Sequence, residues 1–167
     1  MGRLIIGLAL ALVAGSVLAG GSITVTGAAG EFENRIHTER YTLEVRQDVG
    51  PVYVIGYAMK ADHPRHEITD RVMGGLGLEW RGWNAEMVGD DDRYLTRLIY
   101  TADTERWELR GGVLHGNKWE EGFKQTGLMV SVGYPLGPVS VGGFYEIGNT
   151  TMTGVDDLYG GYLTWRY

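Results

Sequence analysis

The chain has 167 residues, which suits a single domain, and it contains no cysteine, which excludes disulfides and thiolate metal sites. Its formal net charge of −6 argues against a nucleic-acid binder. Tyrosine and tryptophan (10 and 5 residues) outnumber phenylalanine (3), and such amphipathic aromatic side chains favour a membrane–water interface over a dry core.

The N-terminal segment is typical of a secretory signal peptide. Arg3 precedes an apolar run over residues 4–18, and Val17-Leu18-Ala19 offers residues that are permitted at a cleavage site. We therefore predict cleavage after Ala19 and a mature single domain over residues 20–167. The apolar run is too short for a comfortable transmembrane helix, which leaves an uncleaved anchor as the alternative.

Short segments of alternating polarity dominate the rest of the chain, and no segment after residue 20 shows a convincing helical stripe. We expect an all-β, antiparallel, up-and-down transmembrane β-barrel. Ten strands are favoured, and eight are the alternative if segment 83–89 and one neighbour do not span. The ten strands are predicted near 22–29, 36–47, 51–60, 68–81, 83–89, 93–102, 105–114, 124–134, 138–147 and 156–167.

The links between these segments alternate in character. Residues 30–35, 61–67, 90–92, 115–123 and 148–155 form longer or more polar links, whereas 48–50, 82, 103–104 and 135–137 are tight. Bacterial outer-membrane barrels have an even strand number, short periplasmic turns and longer outer loops. Ten strands with both termini in the periplasm would put every long link outside.

Alternation assigns the two faces of each strand. The apolar parity, which we predict to face lipid, comprises Tyr41, Leu43, Val45, Tyr53, Ile55, Tyr57, Val72, Leu76, Leu78, Trp80, Trp107, Leu109, Val113, Leu128, Val130, Val132, Val139, Val141, Tyr145, Tyr159, Leu163, Trp165 and Tyr167. The opposite parity carries a nearly balanced set of charges, which we predict to form an interior network: Arg40, Glu44, Arg46, Glu79, Arg81, Glu86, Arg97, Glu108, Arg110, Glu146 and Arg166.

Alternation alone does not decide between a membrane barrel and a soluble barrel with an apolar interior. The aromatic residues favour the membrane barrel, because they cluster towards strand ends as the girdles of transmembrane barrels do. One girdle is predicted beside the periplasmic turns, at Trp80, Trp83, Tyr100, Trp107, Tyr134 and Trp165. Tyr57, Tyr94, Tyr145 and Tyr159 are predicted towards the outer ends.

A barrel of this size has an interior that side chains nearly fill. We therefore expect a plugged, salt-bridged lumen, with inward Gly74, Gly112 and Gly142 making room for long arginine side chains. Because an unpaired interior charge is costly, Arg110→Ala is expected to destabilise the barrel by an amount on the order of 3 kcal/mol.

The chain also resembles the OmpX/Ail/Lom family of small outer-membrane barrels. Residues 22–27 (SITVTG) look like the first strand of that family, 41–46 (YTLEVR) like the second and 54–57 (VIGY) like the third. Residues 127–167 resemble its final strands. The resemblance implies adhesion, complement resistance or envelope integrity, carried by outer loops. The terminal Leu163, Trp165 and Tyr167 resemble the signal that the barrel-assembly machinery reads.

Three polar features could carry chemistry. The segment Asp62-His63-Pro64-Arg65-His66-Glu67 contains metal-ligand residue types, but its spacing matches no firm metal signature. Asp90-Asp91-Asp92 and Asp156-Asp157 could hold divalent cations, or they could be solvated loop tips. A lipid hydrolase would need a nucleophile beside a base, and Ser22, Ser131, Ser140 and His115 show no such pairing in the sequence.

These patterns predict a monomeric, non-enzymatic outer-membrane barrel that displays outer loops for adhesion or envelope contacts. We predict no catalytic residues, no metal and no cofactor. The expected partners are outer-membrane lipid or lipopolysaccharide, the barrel-assembly machinery and a host or envelope surface ligand. A lipid-modifying barrel enzyme and a soluble periplasmic barrel that binds a small apolar ligand are the alternatives.

Overall fold

The computed structural model describes residues 20–32, 36–63, 66–91, 94–104, 106–116, 125–147 and 157–167. The predicted signal peptide therefore lies outside the described residues. Ten strands make up this part of the chain: β1 (Gly21–Phe32), β2 (Ile36–Val49), β3 (Val52–His63), β4 (His66–Trp80), β5 (Trp83–Gly89), β6 (Tyr94–Asp103), β7 (Glu108–Gly116), β8 (Gln125–Leu136), β9 (Val139–Ile147) and β10 (Asp157–Arg166).

The strands form one closed, antiparallel, up-and-down barrel, which confirms the ten-strand prediction. Each strand pairs with its neighbours in sequence, and β1 pairs with β10 to close the cylinder, from Ser22 opposite Arg166 to Glu31 opposite Asp157. Closure leaves no sheet edge along the seam, so the backbone groups of β1 and β10 are satisfied within the barrel. No helix in the described residues is long and apolar enough to cross a membrane.

The two ends of the barrel differ. One end, here called the turn end, carries the connections at 50–51, 81–82, 104–107 and 137–138, together with Gly20 and Tyr167. The other, the link end, carries the connections at 33–35, 64–65, 90–93, 117–124 and 148–156. Gly50, Gly82 and Gly137 have φ values of 67°, 85° and 66°, which a residue without a Cβ adopts freely in a tight turn.

Most connections differ from their predicted bounds by a few residues, and two of these differences have a clear structural description. The polar segment predicted as a link over 61–67 is mostly strand, because β3 runs on to His63 and β4 starts at His66. At the turn end, β7 starts at Glu108 and not near residue 105. Thr104 explains this difference: its hydroxyl accepts a 2.9 Å hydrogen bond from the Trp107 backbone N–H, which ties Trp107 to Thr104 just before β7 begins.

The predicted faces match the strand parity on eight strands and fail on β3, and no face was predicted for β1. Val45, which was predicted to face lipid, lies on the outward face of β2 but is only 6% exposed. Tyr53, Ile55 and Tyr57 were predicted to face lipid, but all three are buried inside the barrel. Val52 and Val54 are exposed on the outer wall in their place. Both parities of β3 are apolar, so the alternation that orients the other strands is missing here, and the larger side chains fill the lumen.

A cluster of inward apolar side chains fills the part of the lumen next to β3–β7. It consists of Tyr53, Ile55, Tyr57, Met59, Met73, Val88, Leu95 and Leu114, with Met129 packed against it. Gly112 and Gly142 share the inward face, as predicted from their parity. Gly74 does not: an added Cβ there would meet nothing within 4 Å, and the inward glycines of β4 are Gly75 and Gly77.

Candidate functional site

The charged side chains inside the barrel form four connected groups, and each group joins strands that do not pair with each other. Arg40 on β2 donates hydrogen bonds of 3.0 and 2.9 Å to the two carboxylate oxygens of Glu146 on β9. Their side chains are only 5% and 7% exposed, so the ion pair is shielded from water. The Arg40 guanidinium also lies 5.8 Å from the centre of the Phe144 ring.

Arg97 on β6 is the centre of a second group. Its guanidinium contacts Glu44 on β2 at 2.8 Å and Glu86 on β5 at 2.5 Å. The Tyr53 hydroxyl donates a 2.8 Å hydrogen bond to the same Glu86 carboxylate. Because both carboxylates share one guanidinium, Arg97 connects two strands that do not pair with each other.

Arg46 on β2 anchors a third group, which lies nearer the turn end. It contacts Asp48 at 2.5 Å, donates a 3.1 Å hydrogen bond to the Asn84 side chain, and forms an ion pair with Glu79. Its guanidinium also stacks 3.7 Å from the centre of the Tyr53 ring. This stacking is a cation–π contact, so Tyr53 contributes to the second and third groups at once.

Glu108 on β7 is the centre of a fourth group. It is only 3% exposed and forms ion pairs with both Arg110 and Arg166. Arg166 also donates a 2.8 Å hydrogen bond to the hydroxyl of the fully buried Ser140. The four groups together contain ten of the eleven residues that the sequence predicted as an interior charge network: Arg40, Glu44, Arg46, Glu79, Glu86, Arg97, Glu108, Arg110, Glu146 and Arg166.

Arg81 was also predicted to belong to the interior network, but it lies outside the lumen. It is an exposed turn residue with a φ of 50°, and its guanidinium lies 5.0 Å from the centre of the Trp80 ring. The sequence assigned it to the interior because the parity of Glu79 was extended to position 81, one residue past the end of β4 at Trp80. The same parity argument, applied to β2 and β5, would have found Asp48 and Asn84, which the prediction missed.

A polar cavity of about 320 Å³ occupies the turn end of the lumen. Carboxylates and guanidiniums from three of the groups line it, and it reaches as far into the barrel as Glu44, Glu86 and Ile99. The lumen therefore combines a polar mouth at the turn end with the apolar cluster and the Arg40–Glu146 pair deeper inside.

Aromatic side chains ring the outer wall at the turn end. Trp83 packs against Tyr100 with ring centres 5.0 Å apart, and Trp107 packs against Tyr134 at 5.5 Å. All of the predicted girdle residues are exposed on the outside of the barrel: Trp80, Trp83, Tyr100, Trp107, Tyr134 and Trp165. Towards the link end, Tyr41, Tyr94, Tyr145 and Tyr159 are exposed in the same way, whereas Tyr57, which was predicted to be with them, is buried inside.

The wall between these two rings is almost free of charge. Among the described residues, 28 large apolar or aromatic side chains, including those of the two rings, are between 37% and 63% exposed. Among the outward strand positions whose side chains the structure describes, Asp, Glu, Lys and Arg occur only as Glu39, Lys60 and Asp157, which all lie towards the link end. The barrel thus has its charges inside and its apolar side chains outside, the reverse of a water-soluble barrel.

The C-terminal residues predicted as an assembly signal lie at the seam of the barrel. Leu163 and Trp165 face outwards on β10, and Trp165 packs against Tyr167 with ring centres 5.4 Å apart. Tyr167 and Gly21 exchange two backbone hydrogen bonds of 3.1 Å, which extend the ladder of the seam to the last residue.

The residues considered for hydrolase chemistry lie on opposite faces of the wall. His115 is exposed on the outside, whereas Ser131 and Ser140 face the interior and Ser22 lines the polar cavity. Within the described part of the chain, no group of three or more metal-ligating residues comes together. The side chains of Asp62, His63, His66 and Glu67 lie outside the described set, as do Asp92 and Asp156.

No protein-family model matches the chain, and no curated protein matches it significantly. The resemblance to the OmpX/Ail/Lom family therefore stays a prediction.

Proposed function

We propose that this protein is an integral β-barrel of the bacterial outer membrane, inserted after a cleaved signal peptide. The observation that carries this proposal is the outer wall, which is apolar and nearly charge-free between two rings of Tyr and Trp side chains. In water, this wall would leave an apolar surface far larger than soluble monomers expose. In a bilayer, the same wall matches the apolar band and the aromatic girdles of a transmembrane barrel.

The interior supports a structural role for the barrel and argues against free conduction. Buried ion pairs and the apolar cluster fill much of the lumen, and the polar cavity reaches inwards only as far as Glu44, Glu86 and Ile99. A general pore would need a continuous polar path along the barrel axis. The polar interior also argues against the soluble alternative, because a carrier of a small apolar ligand needs an apolar cavity.

We assign the biological role to the link end, which would face outwards if both termini lie in the periplasm. Its longest links, 117–124 and 148–156, connect strands that a rigid barrel holds in place, an arrangement that suits surface contacts. The role that fits is a non-enzymatic, monomeric surface or envelope protein whose outer loops mediate adhesion or envelope contacts. The OmpX/Ail/Lom resemblance points the same way, and lipopolysaccharide and the barrel-assembly machinery are the accompanying partners.

Cell fractionation tests the membrane proposal. The full-length protein is expressed in a Gram-negative host, and boiled and unboiled outer-membrane samples are compared on a detergent gel. We expect the protein in the outer membrane and a change of mobility on boiling, because a closed barrel stays folded in detergent until it is heated. A periplasmic protein without the mobility change would refute the proposal and favour the soluble barrel.

A further inference from the structure

Gly20, which directly follows the predicted cleavage site, is held in place by β2. Its carbonyl accepts hydrogen bonds from the Asp48 backbone N–H at 2.9 Å and from the Gln47 side-chain amide at 3.2 Å. One residue further on, Gly21 exchanges two backbone hydrogen bonds with Tyr167. Gly20 therefore lies between β2 and the end of the seam, and the predicted cleavage would make this anchored residue the first of the mature protein.

Two oxygen atoms lie beside Gly20. A Cβ added to Gly20 would be 3.7 Å from Asp48 Oδ2 and 3.7 Å from the main-chain oxygen of Tyr167. The other carboxylate oxygen of Asp48, Oδ1, is the one that contacts Arg46. The Tyr167 oxygen accepts one hydrogen bond, from Gly21, and a carbonyl oxygen has two lone pairs. Two acceptors therefore surround one point next to Gly20.

Cleavage would allow a cation to occupy that point. Hydrolysis of the Ala19–Gly20 bond by a signal peptidase consumes one water molecule, leaves a carboxylate on Ala19 and gives Gly20 an ammonium group at neutral pH. Because Gly20 has no side chain, rotation about its Cα–C bond can bring the ammonium nitrogen to the place that a Cβ would occupy. There the nitrogen would lie within the roughly 4 Å range of an ion pair with Asp48.

The charges at the turn end favour such a contact. The group around Arg46 contains two carboxylates, those of Asp48 and Glu79, but only one guanidinium. The Gly20 ammonium would add a second cation to this group, so that Asp48 binds Arg46 through Oδ1 and the ammonium through Oδ2. In the precursor the same nitrogen belongs to an amide and carries no charge.

We propose that removal of the signal peptide completes the seam of the barrel, because the new Gly20 ammonium binds Asp48 and the Tyr167 carbonyl. This inference rests on the proposed cleaved signal peptide and assigns a structural consequence to its cleavage. The contact ties the start of β1 to β2 and to the residue after β10, in addition to the backbone ladder. Since the Asp48 side chain is 33% exposed, the ion pair is partly solvated and its effect is moderate.

A double-mutant cycle on protein that a Gram-negative host processes from the full-length precursor tests the contact. One glycine inserted between Ala19 and Gly20 keeps the cleavage site and moves the ammonium one residue away from Asp48. Asp48→Asn is made with and without this insertion. Because Asp48→Asn disturbs the contact with Arg46 in both backgrounds, the difference between its two effects reports the ammonium alone. The first residue of each purified protein is identified by mass spectrometry, and urea unfolding is measured in lipid vesicles.

We expect the wild type to start at Gly20. Asp48→Asn should raise the unfolding equilibrium constant about two- to fivefold more in the protein that starts at Gly20 than in the protein with the insertion, as for a partly exposed ion pair. A second measurement needs no substitution: transamination of the N-terminal amine of the wild type to a carbonyl removes the charge and should raise the same constant about two- to fivefold.

An equal effect of Asp48→Asn in both backgrounds, or no effect of transamination, would overturn the inference. A heat-modifiable outer-membrane protein that starts at another residue would overturn it too, while the membrane barrel would stand. A chain that is absent from the outer membrane and shows no mobility change on boiling would refute the proposed function and the inference with it.

Discussion

Arg40 and Glu146 lie 106 residues apart in the chain and are joined by two hydrogen bonds across the lumen. Their strands, β2 and β9, are separated in the barrel by β1 and β10. The pair therefore joins two strands that do not pair with each other, in addition to the backbone ladder. Because both side chains are almost completely buried, we expect the loss of either partner to lower the free energy of unfolding strongly.

The first prediction concerns this pair. Arg40→Ala leaves the Glu146 carboxylate buried without its guanidinium, so the free energy of unfolding should fall by about 3–5 kcal/mol. The double variant Arg40→Met/Glu146→Leu removes both charges and should recover most of that loss. Urea unfolding in lipid vesicles, followed by tryptophan fluorescence, measures the difference. Arg81→Ala is the control, because Arg81 is exposed; a similar loss in both single variants would argue against a special role for the buried pair.

The second prediction uses two glycines on one strand. Gly77 faces inwards, and a Cβ there would overlap the ring of Tyr53, whereas a Cβ on outward Gly74 would meet nothing within 4 Å. Gly77→Ala should therefore lower the unfolding free energy by about 1–3 kcal/mol through overpacking. Gly74→Ala should change it little. The same urea unfolding assay measures both variants. If Gly74→Ala destabilised the protein more than Gly77→Ala, the inward and outward faces of β4 would be the reverse of those described.

The third prediction refines the expectation for Arg110. Glu108 forms ion pairs with both Arg110 and Arg166, so Arg110→Ala still leaves the buried carboxylate with one guanidinium. Its effect should therefore fall below the roughly 3 kcal/mol expected for a carboxylate left wholly unpaired. Glu108→Ala leaves two guanidiniums without their shared partner and should be the more destabilising change. If Arg110→Ala lowered the free energy of unfolding more than Glu108→Ala, the ion pair between Arg166 and Glu108 would not compensate for the loss of Arg110.

The fourth prediction concerns the last residue. Deleting Tyr167 removes two backbone hydrogen bonds with Gly21 and the contact of the phenol oxygen with the Arg46 carbonyl at 3.3 Å. We expect the amount of heat-modifiable barrel in the outer membrane to fall severalfold, while Tyr167→Phe, which keeps the backbone ladder, stays close to wild type. Normal amounts of folded barrel after the deletion would show that the seam closes and assembles without its final residue.

The alternation of charged residues along the sequence correctly predicted which side chains of most strands lie inside the barrel. On β2, Arg40, Glu44 and Arg46 recur at even positions, and a strand places every second side chain on the same face. One buried face therefore follows directly from the sequence. The ion-pair partners do not, because Arg40 and Glu146 meet only through the curvature and closure of the barrel.

The sequence failed where alternation is absent or stops. Tyr53, Ile55 and Tyr57 alternate with Val54 and Gly56, and both sets are apolar, so polarity could not orient β3. The contacts inside the barrel determine which face of β3 is buried. The lumen beside Arg46 and Glu86 accepts the Tyr53 phenol, which stacks on the guanidinium and donates a hydrogen bond to the carboxylate. Arg81 was misassigned for a different reason, because parity has no meaning beyond the end of a strand.

The central claim is that the apolar face of the barrel meets lipid. Since the chain has no cysteine, single cysteines can be introduced along β8 and spin-labelled without background. In bilayers, labels at Leu128, Val130 and Val132 should collide readily with oxygen, which concentrates in lipid, and weakly with a water-soluble nickel reagent, whereas labels at Met129 and Ser131 should not show that high oxygen accessibility. Outward labels that the nickel reagent reaches freely, or an accessibility without period two, would contradict the membrane barrel.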